Sequence, residues 1–387
     1  MLPEDRLTFA RSLFPFTASK RIYLNHAGTG PLSTRVVSAI ERHLHERSEG
    51  ILETYPADIE IVRRLRASIA ALIHAEGPER ISLQGSTSDA INVIAAGLPW
   101  RSGDRILLND LEFPANVYPY HNLKKSGVEL DIITSRDGLV TIDMIERGLT
   151  GRTRLVALSA VQFQSGHRAD LAAIGALCRA HGIVFAVDGI QAVGAVRIDV
   201  QAMQMDALAA GAQKWQLAPH GTGFLYVSEA LQSRIRQQYL GWLSVQDPWN
   251  FRDYEQPLAR SARRYEGGSL NMPGIHGYDA AVSTLLEFGP ATIEDQILDL
   301  TAMLHAGLEA LPGITVITPR DRNARAGIVS IQLPPGINDK RFLVKMHEEG
   351  IVPALRDGMI RYSPHFYNSA EEMARTVEVT GRCLRNP

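Results

Sequence analysis

An α/β fold with a mostly parallel sheet, joined to a smaller α+β domain, is what this sequence predicts, and three observations carry that reading. The middle of the chain alternates short β-branched apolar runs with longer amphipathic segments, the rhythm of β-α-β units. That rhythm stops near Gly274, where a long helical pattern takes over. The length of 387 residues also exceeds what one compact core usually supports. We therefore expect a large domain over residues 21–273. Residues 1–20 and 274–387 should form the smaller one.

In chain order, Ile106–Leu108, Glu129–Ile133, Leu155–Leu158 and Val184–Val187 read as buried parallel strands. Between the last two lies the helical pattern Asp170–Arg179. In such sheets ligands gather beyond the carboxyl ends of the strands. A helical stretch should run from about Tyr278 to Ala310, broken at Gly289-Pro290. Strands are expected at Ile314–Ile317 and Ile328–Ile331, and a helix near Lys340–Glu349.

The bulk numbers remove several function classes. Hydrophobic residues make up 45% and charged residues 21%, as in soluble globular proteins, and the formal net charge is −2. The short basic runs Arg63-Arg64-Leu65-Arg66 and Arg263-Arg264 are balanced by nearby acids, so no nucleic-acid groove is expected. The first residues lack the basic start and apolar run of a signal peptide, and no stretch is apolar enough to span a bilayer. Two cysteines, Cys178 and Cys383, form no metal-ligand pattern. The expectation is a cytoplasmic protein with no metal, no nucleic acid and no membrane partner.

The chemistry begins at Phe185-Ala186-Val187-Asp188-Gly189. An acid ending an apolar strand puts a carboxylate at the mouth of the sheet, although a lone Asp-Gly is more often a turn or a cap. The next strand changes that balance. Asp206 to Lys214 sets a lysine just past a run of small residues, and Gly221-Thr222-Gly223 then leads into another strand. Small residues and glycines let a bulky ligand approach the backbone. Asp188 and Lys214 together suit pyridoxal 5′-phosphate. A buried carboxylate keeps the pyridine nitrogen protonated, and the lysine binds the cofactor as a Schiff base and moves the proton at the substrate Cα. Burial beside a cationic ring lowers a lysine pKa toward neutrality.

Val187 to Val193, Ala212-Gln213-Lys214 and Gly221 to Val227 together resemble the class V aminotransferase family of fold-type I pyridoxal-phosphate enzymes, which includes cysteine desulfurases, kynureninase and isopenicillin N epimerase. The resemblance covers most of the chain and implies a seven-stranded, mostly parallel sheet flanked by helices. It also implies a role for each matching residue. Gln191 would meet the phenolic oxygen of the cofactor. Gly85 to Asn92 looks like the phosphate loop, a turn opening a helix whose free N–H groups suit an anion, with Thr87 and Ser88 as ligands. Phe113, in Leu111 to Asn116, would stack on the ring, as in kynureninase-like members. Gln162 would meet the phenolic oxygen or the substrate carboxylate. Gln213 can donate but cannot titrate, so it is assigned to the phosphate. Ser269, in Arg264 to Asn271, would reach the neighbouring subunit's phosphate with help from Asn271, making the protein a homodimer with shared active sites. Trp242 would line the cofactor.

On the substrate side, the family's carboxylate arginine falls at Arg361, whose planar guanidinium can pair twice with a carboxylate. Arg356 precedes it in the same segment. Thr29, in Tyr23 to Pro31, belongs to the pocket wall, where His26 is expected to be structural. Desulfurases need a cysteine about fifteen residues before the carboxylate arginine. Here Met346 stands near that point, and no cysteine lies between Cys178 and Cys383. The expected partner is a small amino-acid-like substrate. The expected reaction is amino transfer, with a C–S or C–C lyase or an epimerase-like racemase as the alternatives. A fused regulator would need more than the roughly twenty residues before Tyr23, and no Gly-x-Gly-x-x-Gly supports a dehydrogenase.

Overall fold

The computed structural model describes residues 1–385. Seven strands form the main sheet: β1 (Ile81–Gln84), β2 (Arg105–Asn109), β3 (Glu129–Ile133), β4 (Thr153–Ser159), β5 (Val184–Asp188), β6 (Ala207–Gly211) and β7 (Gly223–Val227). Their order is β1-β7-β6-β5-β4-β2-β3. Only β7 opposes the others, pairing antiparallel with both β1 and β6. The fold is therefore the α/β, mostly parallel arrangement expected from the sequence. Strands β5, β6 and β7 are buried along their whole length, which is why they read as continuous apolar runs without alternation.

Crossover segments such as Leu171–Ala180 cover the sheet, and Asp170 caps that helix by accepting from the Ala173 N–H. Beyond residue 271 the chain forms two long helices, Met272–Phe288 and Pro290–Glu309. The break expected at Gly289-Pro290 is where they meet. Gly289 has φ +86°, a left-handed conformation that glycine adopts at little cost, and proline starts the next helix where its missing N–H is no loss.

A second sheet of four strands is ordered Ala354–Arg356, Met359–Tyr362, Val329–Gln332, Thr315–Val316, with every neighbour antiparallel. Helices Asp339–Glu348 and Ala370–Arg385 pack with it around Phe342, Met346, Ile360 and Tyr362. The amino-terminal helix Glu4–Ser12 is tied to distant parts of the chain. Arg6 donates to the Phe288 carbonyl, Arg11 pairs with Glu372, and the Leu2 N–H meets Gln296. No helix of the structure is long and apolar enough to cross a membrane.

Candidate active site

Asp188 is the last residue of β5, and Lys214 lies three residues past β6, so adjacent parallel strands deliver both to one end of the sheet. Asp188 is buried. Its Oδ1 accepts the Ile190 N–H at 2.9 Å, while Oδ2 has no partner among the described residues. Burial pushes its pKa up to about 7; the Glu112 charge adds to this, and the Ile190 hydrogen bond and Lys214 oppose it. Burial likewise pushes Lys214 down to about 8, against the attraction of Asp188 and with the repulsion of Arg361 and Arg356. A buried carboxylate oxygen without a donor is costly. A protonated ring nitrogen supplies that donor, and a lysine with a depressed pKa supplies the free amine, so these two residues fit pyridoxal phosphate.

The phosphate side is built on the helix Thr87–Gly97. Ser86 is its cap, accepting from the Asp89 N–H at 3.1 Å, so the capping residue is one the sequence reading did not single out. Thr87 Oγ accepts the Gly211 N–H at 2.8 Å, joining the helix start to the end of β6. A Cβ at Gly211 would lie 2.6 Å from Gln213 Oε1 and 3.2 Å from Thr87 Oγ. A side chain at Gly211 would displace the Gln213 amide, and Thr87 and Gln213 share one small space. Ser88 follows on the first turn, half-buried. The amides of a helix's first turn have no helical acceptor and suit an anion.

Phe113 lies over the lysine, with Lys214 Nζ 5.6 Å from the ring centre. The residue before it organises this end of the sheet. Glu112 is buried and accepts five hydrogen bonds: from Asn109, Asn116, Gln162, the Ser159 N–H and the Ser159 hydroxyl, at 2.6–3.1 Å. Ser159 is the β4 partner of Asp188. Glu112 therefore ties the ends of β2 and β4 to the turn carrying Phe113, a role the sequence does not display. Gln162 gives its amide hydrogens to Glu112 and Asn109, and its Oε1 is left buried without a partner among the described residues. Its donor end thus faces Glu112, which limits what it can offer a phenolic oxygen or a carboxylate.

Gln191 is similarly engaged. It donates to the Ala27 carbonyl at 3.0 Å and accepts from Trp215 Nε1 at 2.8 Å, leaving one amide hydrogen for a phenolic oxygen. The pocket-wall segment is fastened to the lysine segment. Gly30 N–H donates to the Gln213 carbonyl at 2.8 Å, and Thr29 Oγ reaches the same carbonyl and His220. His26 is fully buried between the Ser363 carbonyl and the Tyr367 hydroxyl, and burial holds its pKa well below the usual range. It is a structural residue.

Arg361 is buried at 2% exposure, yet only one of its nitrogens is paired, Nη1 to the Phe163 carbonyl at 2.7 Å. Nε and Nη2 have no partner among the described residues. Arg356 is exposed, and its guanidinium bonds its neighbour Leu355's carbonyl.

Trp242 and Ser269 lie elsewhere, lining a cavity of about 730 Å³ with Tyr55, Arg66, Trp249 and Arg263. Within one chain these two are not gathered with Lys214. Asn271 caps the helix Met272–Phe288 by accepting from the Gly274 N–H at 3.2 Å, so the amide nitrogen is the end left to meet a ligand.

The description Aminotransferase class-V matches residues 22–375. The chain belongs to the class V aminotransferase family of pyridoxal-phosphate enzymes. Among class V relatives, a probable cysteine desulfurase of Methanothermobacter thermautotrophicus is 28% identical over 91% of this chain and 92% of its own. The uncharacterized aminotransferase YcbU of Bacillus subtilis is 27% identical over 83% of each chain. The cysteine desulfurase of Thermococcus onnurineus has the same fold, with a TM-score of 0.89 at 24% identity, covering 100% of this chain and 99% of that one. The cystine C-S lyase C-DES, solved with cysteine persulfide, gives a TM-score of 0.87 at 23% identity, over 95% and 99% of the two chains.

Unlike an exposed nucleophile, both cysteines of this class V chain are buried. Burial pushes the Cys178 thiol up to about 12.

Proposed function

We propose that the protein is an aminotransferase for a small amino acid bearing an α-carboxylate, with pyridoxal phosphate attached to Lys214. Arg361 carries this reading: a buried guanidinium with two unpaired nitrogens calls for a planar anion, and its charge is felt at Lys214. When bound, the cofactor supplies an electron sink for the carbanion at the substrate Cα. Asp188 Oδ2 holds the proton on the ring nitrogen. Lys214, its amine partly free near neutral pH, takes the Cα proton and returns it. Phe113 covers one face and excludes water. Thr87, Ser88 and Gln213 hold the phosphate. Amino transfer asks for no further catalytic group.

A second reading is favoured by the similarity to cysteine desulfurases: a C–S lyase acting without a protein thiol, since both cysteines are buried away from solvent. Incubation of the holoenzyme with an amino-acid panel, without a keto acid, separates the two. Transfer predicts one equivalent of keto acid per chain and the aminated cofactor. Catalytic release of pyruvate, alanine or sulfide with the cofactor unchanged would replace amino transfer by the lyase reading.

We further propose a homodimer with shared sites. Ile51, Leu52, Tyr239, Leu240, Phe251 and Tyr254 are large apolar side chains left 58–88% exposed, and Phe251 meets edge-on Trp249, which lines the cavity of Trp242 and Ser269. A second copy covering these side chains and the cavity would bring Ser269 to a neighbouring phosphate. The two free cysteines support a reducing, cytoplasmic location.

A further inference from the structure

Away from the lysine, three helices bring His43, Asp58 and His276 together. They come from Thr34–Ser48, Tyr55–Leu72 and Met272–Phe288 respectively. One donor atom from each lies within 4.8 Å of the other two. Asp58 Oδ1 is 3.0 Å from His276 Nε2 and 3.6 Å from His43 Nδ1. Donors around a tetrahedral zinc ion, with bonds of about 2.0–2.1 Å, sit about 3.3 Å apart, so both separations are close to that spacing.

Two further observations point to a ligand. His43 is 3% exposed, and its Nδ1 has no hydrogen-bond partner among the described residues although it faces the shared carboxylate. The other oxygen of Asp58 is already committed, accepting the Thr54 hydroxyl at 2.9 Å within the fold. That bond fixes the carboxylate so that Oδ1 alone faces the two rings, the kind of outer contact that orients a metal-bound acid.

We propose that His43, Asp58 and His276 form a site for a divalent transition metal, zinc(II) or a chemical equivalent, which braces the three helices. Two imidazoles and a carboxylate suit such an ion, and water completes the tetrahedron. Cavities of about 560 Å³, lined by His276, and about 730 Å³, lined by Asp58, provide the access. The rings are stacked at 4.2 Å with 29° between their planes. Coordination opens that wedge by rotation of the His276 side chain, which is the less buried of the two. Two further charges act on His43, Arg47 and Glu46, and they are of opposite sign. No sequence spacing announces the site, because His276 is 218 residues from Asp58.

The test uses tag-free holoenzyme reduced with borohydride, so that the cofactor's own imine cannot chelate. Equilibrium dialysis against zinc(II) should leave one ion per chain, and cobalt(II) should give the visible bands of a tetrahedral site. Zinc should also raise the melting temperature. His43→Ala and His276→Asn should each lose the ion and the temperature shift while keeping the cofactor band. Should the buried His43→Ala fail to fold, His276→Asn, which can still hydrogen-bond Asp58, decides alone. Absence of stoichiometric metal in the parent enzyme, or retention of it in His276→Asn, would overturn the proposal.

Discussion

Arg361 donates to the Phe163 carbonyl at 2.7 Å, and the Phe163 ring meets the Phe113 ring edge-on at 5.3 Å. Phe113 in turn lies over Lys214. A continuous run of contacts thus links the residue proposed to hold the substrate carboxylate to the one proposed to move its proton. Relative placement of carboxylate and Cα follows from packing, since Phe163 is shared.

Arg361→Lys keeps the charge but loses the fork, so it should raise KM for amino-acid substrates about tenfold or more with a smaller change in kcat. Steady-state kinetics with an amino acid and with the matching amine lacking a carboxylate provides the check. The amine should be unaffected by the substitution. Equal losses for both compounds would move the carboxylate site elsewhere.

The depressed pKa of Lys214 gives a pH dependence with a definite sign. A lysine lowered to about 8 gains free amine as pH rises toward 8 and gains little beyond it. At pH 7 roughly one Lys214 in ten is free amine, against roughly one in 2,500 for an ordinary lysine. Capture of pyridoxal phosphate by the apoenzyme should therefore quicken about tenfold per pH unit below 8, then level off. A rise continuing to pH 10 would show an unperturbed lysine.

Glu112→Gln replaces an acceptor of five hydrogen bonds by an amide whose hydrogens face the donors of Ser159 and Asn116. Each unsatisfied buried group costs about 1–3 kcal/mol. Urea unfolding of the holoenzyme should show a loss of at least that size. Cofactor retention should also weaken, because the turn carrying Phe113 is released. An unchanged transition would mean that this network contributes little.

What the sequence displays is local. Asp188 and Lys214 were legible because each follows an apolar strand, with Gly189 directly after the acid and Gly221-Thr222-Gly223 a short loop beyond the lysine. The helix break at Gly289-Pro290 follows from an equally local signal, whereas the count of seven strands came from the family resemblance. Glu112 was not legible as a hub, since its partners come from Asn109, Asn116, Ser159 and Gln162 on three separate segments. Nor was the orientation of Gln191, whose amide is taken by Trp215 and Ala27. The triad of His43, Asp58 and His276 exists only once three helices pack. The cavity around Trp242 and Ser269 likewise depends on tertiary placement, so one chain alone does not display the role that the resemblance assigns to them.

The central claim is that Lys214 carries the cofactor. Borohydride reduction of the holoenzyme, followed by peptide mass spectrometry, tests it most directly. The account predicts one pyridoxyl-phosphate group per chain, on the peptide containing Lys214, and none in Lys214→Ala. A label on any other lysine, or an unchanged label in that variant, would contradict it.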